Sequence, residues 1–167
     1  MKLYVAGKVS KESQFGMQHW RDNFVQELAK LSGLELSHLD PVTYEVGEYD
    51  PQAVFDKDCW LINQVDCVIV YLSDDISVGG SQEMLIAKYL KKPLIGLAPF
   101  GGKFYAAEKE VMGKIIKNYV DPFVYATCDA VCGTIEEVGQ ALKESGNLKS
   151  KDISLIDKAI VRRGDIS

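Results

Sequence analysis

The chain is poor in the residues on which several common chemistries depend. Its 167 residues include only two histidines, His19 and His38, and both lie early in the sequence. No nucleophile elbow accompanies them, so the sequence offers no Ser–His–Asp arrangement. A Walker loop and a dinucleotide fingerprint are also missing. Carboxylates, tyrosines and glycine turns are therefore the groups left for chemistry, and they favour work on a sugar over redox or kinase reactions.

The sequence also lacks a basic excess and a long apolar run. It has 19 Lys and Arg residues against 24 Asp and Glu residues, a net charge of -5, which disfavours binding to a nucleic acid polymer. No apolar run approaches membrane-spanning length, and the opening residues break too early for a signal peptide. We therefore expect a single domain in the cytoplasm, with no membrane association.

Cysteine is scarce, with four residues in the chain. Cys67 lies inside an apolar run and is typical of a core residue. Cys128 and Cys132 are spaced more widely than the cysteine pairs of most structural zinc sites. Disulfides are not expected in a cytosolic chain. The sequence thus predicts neither a metal nor another cofactor.

The most informative segment is 77–83, Ser-Val-Gly-Gly-Ser-Gln-Glu, which joins the apolar run 67–72 to the apolar-periodic segment 84–90. This pattern predicts a strand, a glycine turn and a helix. Gly79 and Gly80 would let the backbone approach a ligand closely. The unpaired N–H groups that begin such a helix can bind an anion or a polar sugar.

Glu83 is predicted to lie in the first turn of that helix. A carboxylate beside a glycine turn is a candidate nucleophile toward a sugar carbon. The helix dipole alone also favours Glu in a first turn, so the local pattern leaves both interpretations open. Ser81 is equally suited to cap the helix or to contact a ligand.

Strand-like and helix-like segments alternate along the chain, which predicts a three-layer α/β/α sandwich around a five-stranded parallel sheet of flavodoxin-like (Rossmann-like) order. In such sheets ligands bind beyond the carboxyl ends of the strands, so segments 4–7 and 73–83 should converge. We expect a domain over 1–146 and a tail over 147–167 that is a docking helix or disordered. The predicted strands are 3–6, 34–39, 66–72, 94–98 and 123–125. The predicted helices are 14–31, 53–64, 105–119 and 134–146, together with the segment that follows the glycine turn as far as residue 90.

Several motifs, taken in order, are similar to those of the nucleoside 2-deoxyribosyltransferases. The similarity covers most of residues 1–145 and is strongest over 56–97. The motifs are Lys2-Leu-Tyr-Val-Ala-Gly7, Asp58-Cys-Trp-Leu-Ile-Asn-Gln-Val-Asp66, Val-Gly-Gly-Ser-Gln-Glu83 and Ala87-Lys-Tyr-Leu-Lys-Lys-Pro93.

The resemblance implies cleavage of the N-glycosidic bond of a 2'-deoxynucleoside through a covalent deoxyribosyl–enzyme intermediate. Glu83 resembles the nucleophile, and Asp58 resembles the residue that handles the base or its proton. Tyr4 resembles the strand-one tyrosine near the nucleophile, and Gly7 belongs to the first substrate-facing turn. The resemblance also implies a small deoxynucleoside or deoxynucleotide as substrate and a homo-oligomer, a homodimer or larger.

One departure from the pattern leaves the branch of the family open. Ser77 occupies the position where the transferases often carry Asp, whereas the related 2'-deoxynucleoside 5'-monophosphate N-hydrolases have Ser there, against phosphate. That branch usually has a first turn rich in serine and arginine, and here the turn offers Lys8 and Ser10 without arginine. The substrate-binding residues are therefore predicted to be Gly7, Lys8, Ser10, Ser77, Gly79, Gly80 and Ser81.

Two other functions fit the same predicted fold. A non-catalytic nucleotide-binding or sensing module would keep the glycine turn without needing Glu83. An NAD-cleaving signalling domain would also place a glutamate on such a sheet. The spacing from Asp58 to Glu83 and the Lys92–Pro93 pair favour the deoxyribosyltransferase-like enzyme.

Overall fold

Five short parallel strands form the centre of the molecule, in the order β2-β1-β3-β4-β7. The computed structural model describes residues 1–7, 19–42, 50–73, 76–145 and 150–164. The order of the parallel strands confirms the predicted flavodoxin-like sheet. The sheet strands are β1 (Lys2–Gly7), β2 (Ser37–Leu39), β3 (Cys67–Tyr71), β4 (Leu94–Leu97) and β7 (Ala130–Cys132), and a separate antiparallel hairpin holds β5 (Tyr105–Val111) and β6 (Lys114–Val120).

Helices cover both faces of this sheet because successive strand residues point to opposite sides. In β1, Leu3 and Val5 enter one core cluster while Tyr4 and Ala6 enter the other. Helices α1 and α5 cover the first cluster, and α2, α3 and α4 cover the second, which confirms the three-layer arrangement. The helices are α1 (Trp20–Ser32), α2 (Pro51–Asn63), α3 (Val78–Tyr89), α4 (Pro122–Thr127), α5 (Ile135–Lys143) and α6 (Leu155–Gly164).

The helix predicted over 105–119 is wrong, because this segment forms the β5–β6 hairpin. Met112 and Gly113 occupy its two-residue turn with φ angles of 52° and 76°. Positive φ at both positions is the signature of a type I′ turn, whose twist matches that of paired strands. The β-branched pair Ile115 and Ile116 also favours strand over helix.

The strand predicted over 123–125 is also wrong, because these residues lie in α4 and the fifth strand of the sheet is β7. The Asp121 side chain accepts hydrogen bonds from the N–H groups of Phe123 and Val124, at 2.9 and 3.2 Å. Pro122 occupies the first helical position, where its fixed φ suits a helix. This cap and proline together begin a helix where the apolar run alone suggested a strand.

Segment 150–164 contains helix α6 and is attached to the sheet through a buried carboxylate. Asp129 forms an ion pair with Lys88 of α3 at 2.5 Å, and neither side chain is more than 1% exposed. The same carboxylate accepts hydrogen bonds from the backbone N–H of Leu94 at 2.8 Å and of Lys151 at 2.6 Å. One buried group thus joins α3, β4 and the segment that leads into α6.

Candidate active site

Strand β1 and helix α3 meet at two glycines. Gly7 has a φ of 117°, and a Cβ there would lie 2.5 Å from the carbonyl oxygen of Tyr71. A Cβ on Gly80 would lie 3.6 Å from the Cα atom of Gly7. Glycine therefore permits the close approach of the two elements. The predicted convergence of these segments at the carboxyl edge of the sheet is what the structure shows.

This approach places Tyr4 of β1 against Glu83 of α3. The Tyr4 hydroxyl donates a hydrogen bond to Oε1 of Glu83 at 2.7 Å, although the residues are 79 positions apart. Tyr4 is fully buried, and Glu83 is partly exposed. The glutamate thus has one oxygen held by the protein, and its side chain is partly exposed.

The position of Glu83 along α3 differs from the prediction. Helix α3 begins at Val78, so Glu83 lies in the second turn, not the first. The helix dipole stabilises acidic groups mainly within the first turn. The helix dipole alone therefore does not account for a glutamate at this position.

The surroundings of Glu83 act on its protonation in opposite directions. Burial raises its pKa, while the hydrogen bond from Tyr4 lowers it. The charge of Asp58 raises the pKa again, and the charge of Arg21 lowers it. Burial and the adjacent Glu83 carboxylate raise the pKa of Tyr4, so its hydroxyl stays a proton donor.

Asp58 of α2 contributes a second carboxylate. Burial raises its pKa, and the charges of Lys57 and Arg21 oppose that rise. Its Oδ1 atom is buried and lies 3.8 Å from Nζ of Lys57, and among the described residues it has no hydrogen-bond partner. A buried oxygen in this state can accept a hydrogen bond from a ligand or carry a proton.

The hydroxyl groups at the start of α3 are used by the helix itself. Ser77 is the N-cap, and its Oγ accepts a hydrogen bond from the N–H of Gly80 at 3.0 Å. Ser81 donates from its Oγ to the carbonyl oxygen of Val78 at 2.8 Å. Each hydroxyl keeps further hydrogen-bonding capacity, since a hydroxyl both donates and accepts. Gly79, the second helical residue, is exposed beside them.

The described site differs from the predicted residue set at three positions. Lys8 and Ser10 lie outside the described residues. Arg21, in the first turn of α1, was missed by the sequence reasoning, although its charge acts on Tyr4, Asp58 and Glu83. The position of Arg21 in the site depends on where β1 and β2 end. The local sequence around a single arginine near a helix start does not show where those strands end.

The C-x3-C cysteine pair takes no part in the site. Cys128 packs in the core cluster beneath α2, α3 and α4, whereas Cys132 packs beneath α1 and α5. The sheet therefore separates the two thiols. Burial raises the pKa of each to about 12. Within the described ranges, no group of three or more His, Cys, Asp or Glu residues could hold a metal ion.

Solved structures show which proteins share this fold. The chain is similar to a conserved protein from Enterococcus faecalis V583, with a TM-score of 0.61 and 13% identity over 87% of this chain and 98% of that one. It is similar to a 2-deoxyribosyltransferase from Bacillus psychrosaccharolyticus, with a TM-score of 0.55 and 16% identity over 91% and 98% of the two chains. A 2-deoxyribosyltransferase from Leishmania mexicana gives a TM-score of 0.50 and 16% identity over 84% and 95%.

These similarities establish the fold of the chain as that of 2-deoxyribosyltransferases, as the sequence motifs predicted. No protein-family model and no curated protein matches the chain. Among the described residues, no helix has both the length and the apolar character needed to cross a membrane. Because one fold can carry unrelated activities, the function must be argued from the site.

Proposed function

We propose that the protein is a nucleoside 2-deoxyribosyltransferase-like enzyme that cleaves the N-glycosidic bond of 2'-deoxynucleosides or their 5'-monophosphates. The observation that carries this proposal is the hydrogen bond from Tyr4 to Glu83, beside the Gly7–Gly80 approach at the carboxyl edge of the sheet. It places a carboxylate with one protein-held oxygen where such sheets bind ligands. The dipole of α3 does not explain why a glutamate occupies position 83. No ion pair among the described contacts explains it either.

In the proposed first step, the free oxygen of Glu83 attacks the anomeric carbon of the sugar. A C–O bond forms, the C–N bond breaks, and the base leaves with the bonding electron pair. Asp58 protonates the departing base, since burial favours its protonated form. In the second step another base or water gives a proton to the Asp58 carboxylate, attacks the same carbon and releases Glu83 as its carboxylate. Two displacements retain the configuration at that carbon.

The role of Tyr4 in this reaction is to orient the nucleophile. Its hydroxyl holds Oε1 of Glu83, which fixes the carboxylate and directs the other oxygen to the substrate. Because the hydrogen bond favours the ionised carboxylate, Tyr4 also opposes the effect of burial. A deoxyribose substrate suits a carboxylate nucleophile, since without an electron-withdrawing 2'-hydroxyl the oxocarbenium-like transition state is easier to reach.

Ser77 supports a 5'-monophosphate as the substrate class. As the N-cap of α3 it accepts from Gly80, which leaves its own hydroxyl proton for an oxygen of the ligand. The N–H groups of Val78 and Gly79 have no intrahelical partner by helix geometry, and such groups bind phosphate. If the protein is instead a transferase of free nucleosides, the neutral 5'-hydroxyl of the substrate would lie at the same place.

We also propose that the enzyme works in the cytoplasm as a homodimer. Leu85 of α3 lies at the centre of three adjoining grooves, and Phe123 next to it is 80% exposed. Adjoining apolar grooves with exposed apolar side chains often mark protein–protein interaction sites. One of the grooves includes Ser81 and Gln82, so a partner seated there would lie beside Glu83. All four cysteines are free thiols, which suits a reducing compartment.

The β5–β6 hairpin also presents apolar side chains. Ile115, Ile116 and Tyr119 were expected on a fourth helix, but they lie in strand β6 of the hairpin. Ile115 and Ile116 are exposed there, and a further set of exposed apolar side chains lies across α2, α3, α4 and α6. Its members are Phe55, Leu85, Tyr89, Phe123, Ile156 and Ile160.

The decisive experiment is a substrate panel read by chromatography. Wild-type protein is incubated with each deoxynucleoside, its 5'-monophosphate and the matching ribonucleotides, with and without a second base. Release of free base alone indicates a hydrolase, and formation of a new nucleoside indicates a transferase. Equal rates on ribo and deoxy substrates would contradict the proposed substrate class. Ligand binding without any cleavage would favour the nucleotide-binding module.

A further inference from the structure

Strand β1 is longer than its neighbour β2, which leaves polar backbone groups at the edge of the site. The register pairs Lys2, Leu3 and Tyr4 of β1 with β2, and β2 ends at Leu39. Strand β1 continues to Gly7. The carbonyl oxygens of alternate β1 residues point toward β2, so those beyond the last pair need another donor.

Arg21 supplies that donor. Its Nε donates to the carbonyl oxygen of Val5 at 2.8 Å, and Nη2 donates to the carbonyl oxygen of Gly7 at 3.2 Å. Its Nη1 lies 3.5 Å from Oδ1 of Asp40, the residue that follows β2. The guanidinium also lies 4.6 Å from the centre of the Trp20 ring, and only 12% of the side chain is exposed. A planar, forked cation is therefore fixed at the open end of two strands.

We propose that Arg21 is a positioning residue of the active site, which fixes the end of β1 against α3 and supplies positive charge to the Tyr4–Glu83 pair. The mechanical link runs through the glycines. Arg21 holds the carbonyl group of Gly7, and Gly7 lies against Gly80, which precedes Glu83 by three residues. The inference rests on the proposed function, because it assigns Arg21 to the site where Glu83 acts.

The electrostatic part of the proposal follows from the groups that face Glu83. In the described parts of the chain, Tyr4 from β1 donates its hydrogen bond to Glu83 at 2.7 Å, and the charges of Asp58 from α2 and Arg21 from α1 act on the same carboxyl. Burial and Asp58 oppose ionisation of Glu83, while Tyr4 and Arg21 favour it. Arg21 also opposes the rise in the pKa of Asp58, together with Lys57. Loss of the Arg21 charge should therefore raise the pKa of Glu83 and leave less of the ionised nucleophile in acid.

A titration that does not depend on activity provides the first test. The side-chain carboxyl of Glu83 is followed by carbon-13 NMR against pH, and its signal is assigned by its loss in Glu83→Gln. We expect Arg21→Gln to move the midpoint to higher pH and Arg21→Lys, which keeps the charge, to stay near wild type. Arg162→Gln, an exposed arginine on α6, is the matched control and should leave the midpoint unchanged.

The pH profile of kcat/KM provides the second test. In Arg21→Gln the acid limb should move to higher pH, with a loss of about threefold or more at acid pH and a smaller loss as the pH rises and the nucleophile ionises. A purely structural arginine would lower the rate equally across the profile. Arg21→Lys should keep the acid limb while lowering kcat, since a single ammonium cannot reproduce the forked hydrogen bonds.

The outcomes separate this inference from the proposed function. If wild-type protein cleaves no nucleoside or nucleotide, the proposed function fails, and the NMR titration still decides the electrostatic role of Arg21. An unchanged Glu83 midpoint in Arg21→Gln, or an equal shift in Arg162→Gln, would overturn the inference. Should Arg21→Gln not fold, Arg21→Lys decides the matter: a midpoint near wild type supports the proposal, and one clearly raised contradicts it.

Discussion

The hydroxyl of Tyr4 lies 2.7 Å from Oε1 of Glu83, and this contact joins the first strand of the sheet to its third helix. The tyrosine is fully buried, so its position is set by the packing of β1 in the core. The glutamate is only partly buried and extends to the accessible edge. A rigid donor thus orients a carboxylate that remains accessible to a ligand.

Replacing Glu83 by Gln should abolish most activity and preserve the fold. The change is isosteric, and the amide can still accept the hydrogen bond from Tyr4. Loss of a covalent nucleophile should lower kcat by about a thousandfold or more, measured by chromatography of the released base. Glu108→Gln, on the exposed hairpin, is the control and should keep wild-type activity. Retention of more than about a tenth of the activity by Glu83→Gln would show that another residue attacks the sugar.

Replacing Tyr4 by Phe tests the hydrogen bond itself. Because this bond lowers the pKa of Glu83, its loss raises that pKa, and the acid limb of the pH–rate profile moves to higher pH. The nucleophile must be ionised to attack, so activity falls most at acid pH and is partly restored as the pH rises. We expect kcat to fall by about ten- to a hundredfold. The exposed Tyr125→Phe is the control, and an acid limb unchanged in Tyr4→Phe would exclude the proposed role.

Much of the fold and the site was predictable because the informative patterns are local. The apolar run of β3, the glycines and the periodic residues of α3 lie together in sequence, and they placed Glu83 beside the turn. Its position in the second turn was not predictable, because the helix boundary depends on the Ser77 cap. The hairpin was not predicted, because Met112–Gly113 lacks the Asn-Gly or Asp-Gly pair that is typical of its type I′ turn. The role of Arg21 depends on the unequal lengths of β1 and β2, which no local sequence pattern predicts.

The ion pair between Asp129 and Lys88 predicts a large effect on stability. Asp129→Asn leaves the ammonium group of Lys88 buried without a counter-charge, and breaking such a pair costs about 3–5 kcal/mol. Chemical denaturation of the variant should show this loss. Asp157→Asn on the exposed face of α6 is the control and should change stability by less than about 0.5 kcal/mol. Adding Lys88→Met to Asp129→Asn should restore part of the loss, and no recovery would contradict the explanation by unpaired charge.

Two substitutions of Ser77 separate the substrate classes. Ser77→Asp keeps a side-chain cap for the N–H of Gly80, so the helix should be preserved. Its negative charge would repel a phosphate, and KM for a 5'-monophosphate should rise by about tenfold or more while a free nucleoside is affected less.

Ser77→Gly is the companion variant, since it removes the hydroxyl at a capping cost of only a few tenths of a kcal/mol. It should raise KM for the monophosphate without the added repulsion. Two results would contradict a 5'-monophosphate substrate and favour a transferase of free nucleosides. One is a preference of the wild-type protein for the free nucleoside, and the other is a higher activity of Ser77→Asp on the free nucleoside.

The apolar surface around Leu85 predicts self-association that one charge should disrupt. Light scattering of wild-type protein at micromolar concentration should give about twice the chain mass of 18.5 kDa. A stable two-fold interface buries about 1,000 Å² or more, and Leu85 lies where three of the grooves meet. Leu85→Asp places a carboxylate at the centre of that contact and should yield monomers.

Ile115→Asp on the exposed hairpin is the matched control and should stay dimeric. Because Ser81 and Gln82 line one of these grooves and directly precede Glu83 on α3, the monomeric variant should also lose activity while its fold is retained by circular dichroism. A wild-type mass of 18.5 kDa with full activity would show that one chain builds its own site. A dimer lost in Ile115→Asp and kept in Leu85→Asp would move the interface to the hairpin.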